Sequence, residues 1–480
     1  MTRSATRTVD VAIVGAGTAG LRAWRAASRH TDSLLLIEGG AYGTTCARVG
    51  CMPSKLLIAA ADAAAGVRAA GTFGIRASLD AVDGPAVMRR VQAMRDDFVQ
   101  GVVDTVESLP EEQRLRGTAR FAGPGTLDVD GTTVEAGRIV IATGSHPAYP
   151  DAWQALGDRL LTSDTVFELP DLPDSMVVFG AGTIGLELGQ AFARLGVRTR
   201  VLSLGGDIAG LTDPEVRGPT LAALRADLPI DPDADIREVR RDGDAVAVRF
   251  VEDGREKTEH YAYALAATGR KPNLAALDLE RSGLELDDRG IPVHDILSAQ
   301  CGTAPVFLAG DADGSRLILH EAADEGFIAG DNAGRWPAVR RHTRKHPFAI
   351  GFTEPNVARI GKGWQALCDR GPAFDCGFAS FKNQGRSRVM AANRGALRVY
   401  GEAGTGLFLG AELAAPAGEH LAHLLGWALQ SRMTVEAMLA MPFYHPVVEE
   451  GVRTALRDLQ HRLQRAPRPE NRCLDCGPGA

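Results

Sequence analysis

Val9-Asp10-Val11-Ala12-Ile13-Val14-Gly15-Ala16-Gly17-Thr18-Ala19-Gly20 decides the fold. Val9 to Val14 is an apolar, β-branched run that reads as a buried strand. It feeds directly into GxGxxG, and a helix-like stretch follows from Leu21 to Ser28. In that context the three glycines have separate roles. Gly15 makes the tight turn, Gly17 lets backbone approach a pyrophosphate, and Gly20 allows close packing of helix on strand. The helix N-terminus then offers amide donors and a favourable dipole to the anion. A second apolar run, Leu34 to Ile37, ends at Glu38, 18 residues past Gly20, where a carboxylate accepts hydrogen bonds from ribose hydroxyls. A bare GxGxxG is a weak signal; the complete strand-loop-helix-strand unit is a strong one.

The unit recurs. Met176 to Phe179 leads into Gly180-Ala181-Gly182-Thr183-Ile184-Gly185, a helix through Leu195 and a strand from Arg198 to Leu202. One chain thus holds two dinucleotide sites. The same offset of 18 from Gly185 lands on Ser203, a hydroxyl where the first copy has Glu38. An acid there favours NAD and an arginine invites NADP; Ser203 does neither. Arg198 and Arg200 lie upstream, and Leu204-Gly205-Gly206 brings no cation, so the preference between NAD and NADP stays open.

The rest of the composition narrows the class. The 480 residues are 45% hydrophobic, 24% charged and 6% aromatic, enough for two to four domains with their own cores. A net charge of -7 without a long basic block argues against a nucleic-acid partner. No stretch reads as a membrane span, and Met1 to Thr8 lacks an apolar signal core, which leads to the expectation of a cytoplasmic protein without a membrane partner. Seven cysteines cannot form a disulfide scaffold in so long a chain, so each is judged by its surroundings.

Soon after Glu38 comes Gly43-Thr44-Thr45-Cys46-Ala47-Arg48-Val49-Gly50-Cys51-Met52-Pro53-Ser54-Lys55. This segment resembles the redox-active centre of the class I pyridine nucleotide-disulfide oxidoreductases, and the overall pattern is nearest to the dihydrolipoamide dehydrogenases among them. The resemblance implies that Cys46 and Cys51 form a redox disulfide, Cys46 exchanging with substrate sulfur and Cys51 facing a bound FAD. Residues five apart in a regular helix have Cα atoms roughly 8.7 Å apart, beyond the roughly 7 Å a disulfide tolerates. The helix must therefore be distorted, with Gly50 relaxing the backbone and Pro53 removing a donor. Lys55 would approach the flavin and pair with Glu187. Arg48 stands where the family usually has Asn. Either it tunes a thiolate or selects an anionic substrate, or it is a solvated side chain, and the sequence does not choose.

Further family motifs follow in order. Arg138 to Ala142 ends in Thr143-Gly144, and Ala267-Thr268-Gly269-Arg270-Lys271-Pro272-Asn273 closes the second nucleotide unit. Both resemble the crossings between domains. Gly310-Asp311 would bring Asp311 to the FAD ribityl and phosphate region, and His320 would begin a helix beneath the flavin as a structural residue. His445-Pro446-Val447-Val448-Glu449-Glu450 resembles the family's base motif, with Pro446 suited to a first helical position. His445 would be the general base for a thiol, since an imidazole with an ordinary pKa of about 6.5 accepts a proton near neutrality. Glu450 would orient it. In the family the partner subunit supplies this base, which implies a homodimer.

The expected fold is α/β: two Rossmann-like doubly wound nucleotide-binding domains, for FAD and NAD(P), and a C-terminal α+β dimerisation domain. The boundaries read from sequence are 1–150 for the first part of the FAD domain, 151–279 for the NAD(P) domain, 280–345 for the second FAD part, 346–465 for the dimerisation domain, and 466–480 for a tail with Cys473 and Cys476 as CxxC. Cys301, Cys368 and Cys376 read as structural, and no resident metal is expected. The function implied is FAD-dependent oxidation of a dithiol such as dihydrolipoamide by NAD, with NADP possible and a lipoyl group as partner. Its rivals are an NADPH-dependent disulfide or mercuric ion reductase, with the lack of an N-terminal metal-binding segment and the presence of His445 counting against mercuric reduction, and a catalytically silent redox-sensing flavoprotein.

Overall fold

The computed structural model describes residues 6–463; the CxxC of the tail lies outside the described residues. The chain divides into two compact units, each assembled from separated segments. The first takes the residues up to Leu56, Arg89–Ala148 and Gly269–Arg344; the second takes Leu57–Met88, Tyr149–Thr268 and the residues from Lys345 on.

In the first unit, β1 (Thr6–Val14) lies between two parallel neighbours, β2 (Leu34–Glu38) and the strand Thr132–Ile141. Arg114–Arg116 and Val306–Leu308 extend the parallel sheet at its two flanks. The apolar runs become strands because both faces are covered, so Val11 to Ile13 and Leu34 to Ile37 are all buried. α1 (Thr18–Ala27) starts at the second motif glycine, Gly17, and packs on the helix Leu319–Arg335.

That helix pair explains a run of small residues. A Cβ on Gly326 would lie 2.2 Å from the Ala19 carbonyl oxygen, and one on Gly330 would lie 2.1 Å from that of Ala23. Backbone cannot rotate away as a side chain can, so any larger residue must push the helices apart. Gly330→Val is accordingly expected to lower the melting temperature of the purified protein by more than about 5 °C, and an unchanged thermal transition would show that the crossing is not tight.

The second unit contains a parallel sheet in the order Ile230–Asp231, Arg198–Leu202, Ser175–Phe179, Tyr263–Ala266, Leu160–Thr162. A charged antiparallel meander, Asp235–Asp242, Ala245–Glu252 and Arg255–Tyr261, is inserted before its fourth strand. The C-terminal portion is a five-stranded antiparallel sheet packed by the helices Gly418–Gln430 and Glu450–Arg462. Its core joins Leu397, Val399 and Leu413 of the sheet to Leu421, Leu425, Leu456 and Leu459 of the helices. The expected α/β architecture with an α+β C-terminal portion is therefore what the chain adopts.

The helical stretch Thr45–Phe73 is long and apolar enough, by length and composition alone, to cross a membrane. Its apolarity is mostly alanine, at positions 59–61, 63–65 and 69–70, and alanine buries little area per residue.

Candidate redox and nucleotide sites

Both GxGxxG loops have the shape a pyrophosphate requires. In the first, a Cβ on Gly20 would lie 1.8 Å from the Gly15 carbonyl oxygen, and one on Gly15 would lie 2.3 Å from that of Ala142. Around the Cβ position of Gly17, by contrast, there is nothing within 4 Å, which leaves an open cradle at the start of α1. Glu38 ties the loop down at the end of β2: its two carboxylate oxygens accept from the amides of Ala16 and Gly40, each at 2.7 Å. The buried Thr143 hydroxyl beside Gly15 has no hydrogen-bond partner among the described residues. This cradle fits the dinucleotide end of FAD.

The second loop repeats the construction. Gly185 approaches the Gly180 carbonyl to 2.0 Å from its Cβ position, and Gly180 approaches that of Ala267 to 2.3 Å. Ser203 Oγ accepts from the Ala181 amide at 3.1 Å, the counterpart of the bond from Ala16 to Glu38.

Asp311 lies just past the strand Val306–Leu308 and accepts from Ser145 Oγ at 2.6 Å. Arg270 Nε donates to the same hydroxyl at 2.8 Å, and the short strands Ser145–Pro147 and Arg270–Pro272 pair antiparallel. Asn273 ties down the Thr143 and Gly144 carbonyls at 3.0 and 2.9 Å. Sequence reading identified Thr143, Gly144, Gly269 and Asp311 as site residues but gave no role to Ser145, or to Arg270 and Asn273 of the quoted crossing motif, which make the connection. The signal was their place, one to four residues beyond the quoted glycines. Burial pushes the Glu325 carboxyl up to about 7, and its Oε2 accepts from the Gly310 amide at 2.9 Å, which fixes the loop that carries Asp311. His320 is the second residue of the helix Leu319–Arg335, as expected of a helix start.

The dithiol segment is distorted where the spacing required it. A one-turn α2 (Thr45–Val49) stops at Gly50, whose φ of -122° and ψ of -114° leave the helical region, and α3 (Cys51–Ala69) begins at the second cysteine. Pro53 falls in the first turn of α3, where a missing amide donor costs nothing. The break brings the two thiols into hydrogen-bond contact. That bond from Cys51, together with burial, pushes the Cys46 thiol well above the ordinary thiol range, and Lys55 partly opposes the shift. Lys55 is thus the cation that favours a Cys46 thiolate. Arg48 instead folds back, its Nη1 donating to the Ala41 carbonyl at 3.4 Å and its alkyl stem lying 3.0 Å from the Cβ position of Gly43. Glu187 is buried and accepts from the Phe352 amide at 2.7 Å.

His445 Nδ1 and Glu450 Oε1 meet at 3.0 Å. The Glu450 side chain is 6% exposed, while His445 is 53% exposed, so a buried carboxylate steers an accessible imidazole. Pro446 does not start the helix as expected; the helix begins at Glu450. The reason is geometric. In a continuous helix residues five apart point about 140° from one another, and only a loop lets His445 fold back onto Glu450. Glu450 Oε2 also accepts from the Val447 amide at 3.2 Å, which stabilises that loop.

Two nucleotide cradles, a dithiol after the first and a buried-carboxylate histidine define a class of nucleotide-dependent thiol redox flavoenzyme. The chain belongs to the pyridine nucleotide-disulphide oxidoreductase family: residues 9–326 match that family, and residues 348–456 match its dimerisation domain. It is an FAD- and NAD(P)-dependent oxidoreductase. It is 32% identical to a mercuric reductase of Streptomyces lividans over 91% of this chain and 93% of that protein. It is 31% identical to dihydrolipoyl dehydrogenase 2 of Haloarcula marismortui over 93% of this chain and 95% of that one. Among solved structures it resembles LpdA of Mycobacterium tuberculosis, with a TM-score of 0.78 and 25% identity over 94% of this chain and 99% of that chain. The fold is also that of the HOCl-induced flavoprotein disulfide reductase RclA of Escherichia coli in its Cu(II) complex, with a TM-score of 0.79 and 22% identity over 95% of this chain and 99% of that chain.

Proposed function

We propose that the protein oxidises a dithiol of the dihydrolipoamide type and passes two electrons through the Cys46–Cys51 couple to NAD(P). The observation that carries this reading is the pair of thiols in contact across the helix break at Gly50. In the oxidised enzyme a substrate thiolate attacks Cys46 Sγ and releases Cys51. The second substrate thiol then displaces Cys46, leaving a substrate disulfide and an enzyme dithiol. Bound FAD supplies the two-electron relay from that dithiol to the nicotinamide. Overall, two electrons and one proton convert NAD(P) to NAD(P)H and one proton is released.

The residues divide the work. His445 takes the proton of the substrate thiol, and Glu450 holds the ring with Nδ1 turned inward so that the other nitrogen faces substrate. Lys55 sets the charge beside the dithiol, and Asp311 with Ser145 and Arg270 positions the flavin. Gly15, Gly17, Gly20 and Glu38 hold FAD; Gly180, Gly182, Gly185 and Ser203 hold NAD(P). We place the protein in the cell as a homodimer in which the His445 of one subunit serves the dithiol of the other, a reading supported by the match to the dimerisation domain.

The test is a steady-state assay of the purified yellow protein with dihydrolipoamide and either nucleotide, run beside the reverse assay with lipoamide, glutathione disulfide or Hg(II). Turnover of dihydrolipoamide at more than about 1 per second supports the reading. Turnover of Hg(II) alone would assign the chain to the chemistry named for its Streptomyces relative. Flavin reduction without turnover on any acceptor would indicate a redox sensor.

A further inference from the structure

We infer that the second dinucleotide site takes NADPH and NADH with comparable efficiency, and that Ser203 and Arg217 are the residues responsible. This rests on the assignment of the second GxGxxG to NAD(P). The two sites differ where a nucleotide's 2′ position is read. In the first, the Ala16 amide meets a carboxylate, Glu38, at 2.7 Å; in the second, the equivalent Ala181 amide meets the Ser203 hydroxyl at 3.1 Å. The shared bond shows that Ser203 occupies the ribose-reading position rather than merely lying near it. A carboxylate there accepts a 2′-hydroxyl and repels a 2′-phosphate; an uncharged hydroxyl weakens the first effect and removes the second.

The surroundings are permissive in space and carry both signs of charge. Gly205 has nothing within 4 Å of its Cβ position, so the loop after Ser203 leaves room for a phosphate. Arg217, on the helix Pro214–Leu224, is exposed, and its Nη2 comes to 3.0 Å from the Cβ position of Gly206. Three carboxylates lie close to the same loop, among them Asp231, whose carbonyl accepts from the Ser203 amide at 2.9 Å and whose Oδ1 accepts from the Asp233 amide at 3.2 Å. Asp233 accepts from the Gly205 amide at 3.1 Å; Asp207 accepts from the Gly210 amide at 2.8 Å, and its Oδ2 is 3.9 Å from the Cβ position of Gly182. The upstream arginines are otherwise engaged: Arg200 pairs with Glu252 at 2.6 Å and Glu259 at 3.5 Å, and Arg198 donates to the His260 carbonyl. Arg217 therefore supplies the attraction for a 2′-phosphate, the carboxylates oppose it, and no carboxylate takes the place that Glu38 holds in the first site.

The experiment measures NAD and NADP binding to the oxidised holoenzyme by calorimetry, and anaerobic bleaching of the flavin by NADH and NADPH. Both readouts are independent of the thiol substrate. The wild-type ratio of the two nucleotides is expected within about tenfold by either readout, which is about 1.4 kcal/mol of discrimination. Ser203→Glu should move that ratio toward NADH by about 100-fold, and Arg217→Gln, a surface change, should move it the same way by about tenfold. A wild-type preference above about 100-fold in either direction, or an unmoved ratio in both variants, overturns the inference. If neither nucleotide binds or bleaches the wild-type flavin, the assignment of the second site has failed, a result distinct from a shifted ratio.

Discussion

Cys46→Ser is expected to reduce dithiol-disulfide turnover by more than about 1,000-fold while the protein retains its flavin absorbance and its reduction by NAD(P)H. Serine matches the thiol in size, and Cys46 is half-buried, so the substitution leaves no cavity. It cannot form the mixed disulfide on which exchange depends. Cys51→Ser should be equally inactive for a different reason: without a second thiol Cys46 never enters a disulfide, so a substrate thiolate has no sulfur–sulfur bond to break. Steady-state assays with dihydrolipoamide separate the variants from wild type, and an NAD(P)H assay with ferricyanide shows whether the nucleotide half still works. Dithiol turnover within tenfold of wild type in either variant would remove that cysteine from the mechanism. Loss of both activities would instead report damage to the flavin site.

The same segment shows what was legible in the sequence. The glycines of both nucleotide loops could be read because their function is steric: Gly15, Gly20, Gly180 and Gly185 each stand where a Cβ would strike backbone. The helix break at Gly50 could be predicted because the spacing of the cysteines conflicts with helical geometry. Ser145 and Arg270 could not, since their contact joins residues 125 apart and is created by the pairing of two short crossing strands. The fate of Arg48 was undecidable for a related reason. Its direction follows from the conformation of the Gly43 turn, where φ is +120°, and not from its own type. Pro446 was misplaced because its preference for a helix start was weighed alone, without the demand that His445 reach Glu450.

That demand carries the second large effect. His445→Gln is expected to lower dihydrolipoamide oxidation at neutral pH by about 100-fold or more, because the substrate thiol then ionises unaided. An ordinary thiol has a pKa of about 8.5, so about 3% is thiolate at pH 7. The loss should therefore shrink as the pH rises, the variant gaining nearly tenfold per unit until that pKa is passed while wild type changes little. The direction is diagnostic: a variant that had merely lost its local fold would not recover with base. The enzyme's own thiol cannot substitute at neutral pH, since Cys51 and burial hold the Cys46 proton in place once the couple is reduced. Glu450→Gln should show the same slope with a smaller loss, about tenfold, because the amide still offers an oxygen to the ring but no charge. A flat pH profile for His445→Gln, or activity within threefold of wild type at pH 7, would assign the base elsewhere. Imidazole added to His445→Gln gives the complementary readout: a base that is chemically required is restored in part by one that diffuses in, whereas a ring that only fills space is not.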